Sequence, residues 1–292
     1  MQAMVNVNGV LSDAAHATIS VLDHGFLYGE GVYEVLRTYE GRLFLFDRHM
    51  RRLRASASRL QLEIATPDAE FERRCVETMR AAGLGVPGAD AYVRVLVTRG
   101  VGEISYDPGA CGAPSIVVIA KPHVDAPASA YTDGVRVALV DVVRNHPATV
   151  NPLIKSNNLL NNALGAQEAM RRGAFEGVMR NYRGEIVECT TANIFVVRDG
   201  IVTTPPLDAG LLGGLTREFL IEVAAQHGIV IREGILHDAD LIGADEAFLS
   251  STTRELVPIT RVDDHTIGTG RPGPLTQQLL QAFRDAVPAH CR

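Results

Sequence analysis

Apolar residues recur with two periods along the chain. Gly31 to Tyr39 alternates as a strand does, and Glu40-Gly41 turns it back into Arg42 to Phe46 as a hairpin. Met50, Leu53, Ala57 and Leu60 then fall at helical spacing, predicting a helix over Asp47 to Leu60 with Asp47 as N-cap. A second helix opens at Pro67-Asp68 and closes near Gly83. Met4 to Val7 reads as a short strand ended by Asn8-Gly9, and Ala91 to Thr98 and Ser115 to Ala120 as apolar, β-branched strands. Between those two strands, Arg99 to Ala113 is a glycine-rich loop long enough to suggest a function.

The rhythm breaks at Lys121 to Asp133, which holds two prolines and three alanines with little periodicity and reads as an interdomain linker. Beyond it, strands and helices alternate. Val135 to Val143 is a strand, and Leu159 to Arg172 a helix stopped by Gly173. Phe175 to Arg180 and Glu185 to Glu188 are strands about the turn Arg183-Gly184, and Asn193 to Val197 pairs with Ile201 to Thr203 about Asp199-Gly200. Thr216 to His227 is a helix ended by Gly228, followed by a strand over Ile229 to Glu233, a buried strand over Ala247 to Ser250 and a last helix over Pro274 to Ala286. The expected class is mixed α and β (α+β or α/β) in two domains: a small N-terminal domain over 1–120, the linker over 121–133, and a larger domain over 134–292.

Composition narrows the function. In 292 residues, 46% are hydrophobic and 21% charged, as in an ordinary globular chain. A net charge of −6 speaks against general nucleic-acid binding. No apolar run approaches the ~20 residues that span a bilayer. Met1 to Asn6 has neither a basic nor an apolar leader segment. Cys75, Cys111, Cys189 and Cys291 lie far apart with no Cys-x-x-Cys pair, which argues against zinc or a disulfide framework and for a reducing, cytoplasmic setting.

Of the 28 basic residues only Lys121 and Lys155 are lysines, so each raises the question of what an ammonium offers that a guanidinium does not. An ammonium can lose its proton and become a nucleophile. Lys121, before Pro122, reads as a strand exit with a solvated charge. Lys155 lies among Pro152-Leu153-Ile154 and Leu159-Leu160, with no carboxylate for a dozen positions downstream. An ordinary lysine is neutral in about one molecule in 2,500 at pH 7, and desolvation raises that share and with it the capacity to form an imine. Three further segments fit this chemistry. Gly210-Leu211-Leu212-Gly213-Gly214-Leu215-Thr216 places glycines and Thr216 before a helix, where free amides and the helix dipole suit a phosphate, although a plain capping turn looks the same. Ser250-Ser251-Thr252-Thr253 offers four hydroxyls and turn amides after a buried strand. Glu188 is a lone carboxylate in an uncharged strand, fit for a pyridinium nitrogen or simply for the surface.

A lysine, a carboxylate and two oxyanion turns are what pyridoxal 5'-phosphate asks of a protein. The chain resembles the class IV (fold type IV) aminotransferases, a group that includes branched-chain aminotransferases, D-amino-acid aminotransferases and aminodeoxychorismate lyases. The resemblance runs nearly end to end: Asp23 to Glu34, His49 to Leu53, Ile154-Lys155-Ser156, Glu188 to Phe195, Gly214 to Arg217, Ala244-Asp245-Glu246, Ser251-Thr252-Thr253 and Gly273 to Thr276. It implies the two-domain fold-type-IV architecture, with the larger domain binding the cofactor. It implies that Lys155 carries the cofactor as an internal aldimine and moves the substrate proton, and that Glu188 pairs with the ring nitrogen. Arg52, Leu215, Thr216 and Thr252 fall at cofactor-phosphate positions, and Ser251 among the cofactor-binding residues. Tyr28, Tyr33, Arg37, Tyr92 and Arg94, with the amides of Thr252 and Thr253, fall where substrate is held. The family builds its site between two domains with loops from a neighbouring subunit, so a homodimer or a higher homo-oligomer is expected.

Substrate signals divide. Leu159 and Leu160 stand where many branched-chain enzymes place a tyrosine, and Tyr33 and Val35 sit better with the D-specific pattern. Ile104-Ser105-Tyr106 stands where D-specific enzymes carry Arg-x-His, while Arg37 and Tyr92-Val93-Arg94 resemble the branched-chain arrangement. The expectation is transamination of a branched-chain L-amino acid with a 2-oxo acid such as 2-oxoglutarate. D-amino-acid or amine transamination, a catalytically inactive cofactor-binding protein and a cofactor-free aldolase are the alternatives. His237-Asp238-Ala239-Asp240 and Asp263-Asp264-His265 read as polar turns, and no metal is expected. Gly29-x-Gly31 lacks the rest of a dinucleotide fingerprint.

Overall fold

The computed structural model describes residues 3–292, so Met1 and Gln2 of the leader reading lie outside the described residues. The chain divides into two compact units. One contains the chain up to Val124 together with Ile154–Leu159 and Val287–Arg292; the other contains Asp125–Leu153 and Leu160–Ala286. The segment bearing Lys155 thus packs with the N-terminal part of the chain.

The first unit is built on an antiparallel sheet of β1 (Met4–Val7), β2 (Val10–Asp13), β3 (Gly31–Tyr39), β4 (Arg42–Leu43), β5 (Ala91–Thr98) and β6 (Ser115–Pro122), ordered β2-β1-β6-β5-β3-β4. A short helix α1 (His24–Leu27) precedes β3, while α2 (Phe46–Arg59) and α3 (Asp68–Ala81) cover one face. Alternation on β3 and β5 turns Val32, Leu36, Val93, Val95 and Val97 into a core with Met50 and Leu53 of α2 and Phe71 of α3. The opposite face carries Tyr33, Val35 and Arg37 beside Leu96, Arg94 and Tyr92, because antiparallel partners point the same way.

Several local expectations shift. The hairpin return is only Arg42–Leu43, because Leu45 adopts a left-handed turn (φ 53°) that starts α2. Leu45 is therefore the N-cap, without a side-chain cap bond, and Asp47 lies in the first turn where its charge favours the helix dipole. The Arg99 to Ala113 loop holds a 3-10 turn at Pro108–Ala110 and bridges Gly102 to Cys111 and Asp23 to Val101.

The second unit begins with α4 (Ala128–Thr132), a short helix within the stretch read as linker, and β7 (Val135–Leu139), four residues shorter than expected. There follow α5 (Leu160–Arg171), β8 (Glu176–Arg180), β9 (Ile186–Cys189), β10 (Asn193–Arg198), β11 (Ile201–Thr204), α6 (Leu215–Gln226), β12 (Ile231–Glu233), α7 (Asp238–Ile242), β13 (Glu246–Ser251), β14 (Glu255–Val262), β15 (His265–Thr266) and α8 (Pro274–Ala286). One sheet runs β12-β11-β10-β13-β14-β7-β8-β9, with β15 added to β14. Residues of β9, β10 and β13 are buried almost without interruption, so these strands read as apolar runs rather than alternating ones. Asn193 pairs with Ser250, and that register sets the start of β10 beside the end of β13.

Candidate active site

In the first unit the site grows from β3. Gly31 to Tyr33 leave an edge open, and residues 155–157 run along it in extended form. Tyr33 N–H donates to the Lys155 carbonyl and Asn157 N–H to the Gly31 carbonyl, both at 2.9 Å, with an antiparallel bridge between Val32 and Ser156. A Cβ on Gly31 would come 2.8 Å from the Val97 carbonyl oxygen and 2.7 Å from Asn157 Nδ2, so only glycine lets this segment approach. Lys155 N–H is held by Ser56 Oγ of α2 at 3.1 Å. Its amine stands 4.5 Å from the Tyr33 ring centroid, and the Arg94 guanidinium lies 4.1 Å from the same centroid. Among the described residues no carboxylate pairs with the Lys155 amine. The lysine lies five residues before α5, in a strand-like segment rather than at a helix start.

Beside it lies a buried charge cluster in which Arg52, expected at a cofactor-phosphate position, is joined by Glu34 and His49. Glu34 points to the core side of β3, fully buried, and grips Arg52 with two bonds of 2.8 and 2.7 Å while His49 Nδ1 lies 2.7 Å away. Burial alone would raise the Glu34 carboxyl, but Arg52 and His49 outweigh it and hold it down at about 2. Burial lowers the His49 imidazole, helped by the positive charges of Arg52 and Lys155 and opposed by Glu34. His49 Nε2 is buried with no hydrogen-bond partner among the described residues. The detectable signal was a carboxylate at a core-facing strand position, which must be paired to be tolerated. The other candidates spread along the sheet. Arg37, on the same face as Tyr33, stacks 4.0 Å from the Tyr39 ring centroid; Tyr92 lies beside Lys121, 4.9 Å from amine to centroid. Tyr28 packs against His24 of α1 and against Tyr106 of the long loop, 5.2 Å between centroids.

In the second unit Glu188 sits on β9, buried. Arg144 Nε donates to Oε1 at 2.7 Å and the Leu212 N–H to Oε2 at 3.1 Å; Arg144 also reaches Asn161 Oδ1 at 3.1 Å. Each carboxylate oxygen keeps a lone pair for a further donor. Arg144 was invisible in the sequence, since nothing local ties it to a residue 44 positions on. The Leu212 contact carries the glycine turn to the same place. Gly214 is the N-cap of α6, which starts at Leu215 rather than Thr216, and it makes no side-chain cap bond, so the first amides of the helix, those of Leu215 and Thr216 among them, are open donors. A Cβ on Gly214 would lie 1.9 Å from Asn193 Oδ1, and Asn193 in turn donates to the Leu212 carbonyl at 3.0 Å. Because Asn193 pairs with Ser250, the glycine turn and the Ser251-Thr252-Thr253 hairpin tip stand at one end of the sheet. Glu188, Leu215, Thr216, Ser251, Thr252 and Thr253 are thus brought together on this unit, while Lys155, Arg52, Tyr33 and Arg94 gather on the other. An acceptor carboxylate beside a donor-rich, Cβ-free turn suits an anion joined to a protonated ring nitrogen. Among the described residues no group of three or more His, Cys, Asp or Glu side chains could hold a metal ion.

Comparison with known proteins follows the same outline. A family model described as amino-transferase class IV matches residues 31–262. The chain is 38% identical to a putative branched-chain-amino-acid aminotransferase of Methanocaldococcus jannaschii, over 96% of this chain and 95% of that protein. It is 31% identical to a D-alanine aminotransferase of Bacillus licheniformis, over 96% and 95%. Among solved structures, the branched-chain amino acid aminotransferase of Escherichia coli superposes with a TM-score of 0.92 at 30% identity, covering 100% of this chain and 97% of that one.

Proposed function

Since this chain belongs to the class IV aminotransferase family, we propose that it transfers the amino group of a branched-chain L-amino acid to a 2-oxo acid such as 2-oxoglutarate, with Lys155 as its central residue. Pyridoxal phosphate, the cofactor of this family, supplies an electron sink for the bonds of the substrate α-carbon when bound. The observation that carries the proposal is Lys155 itself: fixed by its backbone to β3 and α2, its amine is left with an aromatic face and, among the described residues, no carboxylate. Such an amine serves as the covalent anchor for the cofactor and then as the base and acid that moves the proton at the α-carbon.

Glu188 holds the proton on the ring nitrogen, with Arg144 and the Leu212 amide fixing the orientation of its carboxylate. The amides of Leu215 and Thr216, the hydroxyls of Thr216, Ser251 and Thr252, and the guanidinium of Arg52 receive the phosphate. Arg94, above Tyr33, is the cation for the substrate carboxylate, with the amides of Thr252 and Thr253; Tyr28, Tyr33, Arg37 and Tyr92 shape the side-chain pocket. The proposal includes a cytoplasmic homodimer or higher homo-oligomer. Its support is a set of apolar side chains that one copy leaves exposed around the long loop, Val21, Phe26, Ile104 and Tyr106 among them. No described helix is long and apolar enough to cross a membrane.

The D-amino-acid reading keeps two observations of its own: leucines stand at 159 and 160 after the lysine, with Leu160 exposed, and Tyr33 and Val35 fit the D-specific pattern. A half-reaction decides. The visible band of the purified protein should bleach with L-leucine, releasing one 4-methyl-2-oxopentanoate per active site, and persist with D-alanine. Bleaching by D-alanine alone overturns the branched-chain assignment.

A further inference from the structure

Glu176, the first residue of β8, is buried and takes no part in the roles given above. Its carboxylate is surrounded by donors only. The Thr190 hydroxyl donates to Oε1, as does the Gly177 N–H at 3.1 Å, while Oε2 accepts the Thr191 hydroxyl at 2.6 Å and Arg254 Nη2 at 2.9 Å. Thr190 and Thr191 form the turn directly after Glu188 and Cys189. Arg254 closes the β13–β14 hairpin, next to Thr252 and Thr253.

The guanidinium is gripped from several sides. Nη2 also donates to Thr191 Oγ1 at 2.5 Å, Nε donates to Ser251 Oγ at 3.2 Å, and the group lies 5.5 Å from the Phe175 ring centroid. The Arg254 carbonyl accepts the Tyr131 hydroxyl at 3.0 Å. One carboxylate therefore ties together two turns, reaching Arg254 from 78 positions away in sequence.

Apolar packing of the same volume often stabilises as well as an intact ion pair does, so a role for this pair in fixing geometry is one that can be tested apart from stability. Every donor on Glu176, apart from its neighbour's amide, comes from one of these two turns. Two threonine hydroxyls from one turn and Arg254 Nη2 from the other converge on the same carboxylate.

We propose that Glu176 and Arg254 are positioning residues that lock the tip of the β13–β14 hairpin onto the turn after Glu188, holding the Ser251 and Thr252 phosphate ligands in register with Glu188 before cofactor binds. This rests on the reading of Glu188, Ser251 and Thr252 as cofactor ligands. The pair then sets how much of the cofactor's affinity its phosphate supplies, without touching the cofactor.

The test compares dissociation constants of pyridoxal phosphate and of pyridoxal, which lacks the phosphate, for apo wild type, Arg254→Ala, Arg254→Lys, Glu176→Gln and the double variant. Arg254→Ala should weaken pyridoxal phosphate about tenfold or more while changing pyridoxal less than threefold. Arg254→Lys should recover part of that ratio, and the double variant should lose no more than twofold beyond Glu176→Gln. A merely structural role would weaken both compounds in parallel, and that result, or an unchanged ratio in folded variants, overturns the proposal. Should Glu176→Gln not fold, Arg254→Ala decides alone. A wild type that binds pyridoxal as tightly as pyridoxal phosphate would instead refute the phosphate-ligand reading and bring the clamp down with it.

Discussion

Replacing Glu34 by Gln should remove one of the larger single stabilising terms in the first unit. The Glu34 carboxyl lies at about 2 against an ordinary 4.5, a difference that corresponds to about 3 kcal/mol of stability at neutral pH at 1.36 kcal/mol per unit. Removing one partner of a buried pair costs about 3–5 kcal/mol, because Arg52 is left with an uncompensated charge. The two routes agree on a loss of roughly 3–5 kcal/mol at pH 7. The sign with pH follows. A depressed carboxyl stabilises fully above its unfolded value and loses that contribution as pH falls from about 4.5 through about 2. The gap between wild type and Glu34→Gln should therefore be widest at pH 7 and narrow below about 4.5. The assay is urea unfolding of the full chain followed by far-UV circular dichroism, since there is no tryptophan to report. A variant within about 1 kcal/mol of wild type at pH 7, or a gap equally wide at pH 3, would refute the reasoning.

Other consequences are as direct. Gly214→Ala forces a Cβ to within 1.9 Å of Asn193 Oδ1, so the turn must move, and affinity for pyridoxal phosphate should fall by an order of magnitude or more; binding as tight as wild type would contradict the cradle. Burial pushes the Cys75 thiol up to about 12 and the Cys189 thiol well above its ordinary value. Neither should react with a disulfide reagent at pH 8 in the native protein, whereas all four thiols should react on unfolding; fast native labelling of either residue would show that it is not buried. Burial also lowers the His49 imidazole, which favours its neutral form in the folded state. Stability should therefore begin to fall below about pH 6.5, before the carboxylates titrate, and this first step should disappear in His49→Asn.

The sequence carried more of the fold than of the site. Elements with strong periodicity or clear punctuation, such as the Asp68–Ala81 and Pro274–Ala286 helices, stand within a residue or two of where pattern placed them. The short pieces β2, α1, α4 and α7 did not show, being too brief for any period, and neither did the eight-residue strand β14, whose ends Glu255 and Val262 carry no turn signal strong enough to mark it. Lys155 stood out because lysine is so rare here, yet its extended conformation comes from the free edge of β3, more than a hundred residues earlier. The glycines at 213 and 214 marked the turn before α6 locally. Arg144 and Arg254 gave no sign, being two among 26 arginines, and only the folded chain sets them on Glu188 and Glu176. Ion pairs between distant segments leave no local pattern, and they orient many of the groups on which the chemistry depends.

Borohydride reduction of the purified holoprotein, followed by peptide mass mapping, tests the central claim most directly, because the chain offers only two lysines. The account predicts one reduced pyridoxyl group per chain, carried entirely by the peptide containing Lys155, with Lys121 unmodified. Label on Lys121, or none on either lysine in a protein that turns over amino acid, would contradict it.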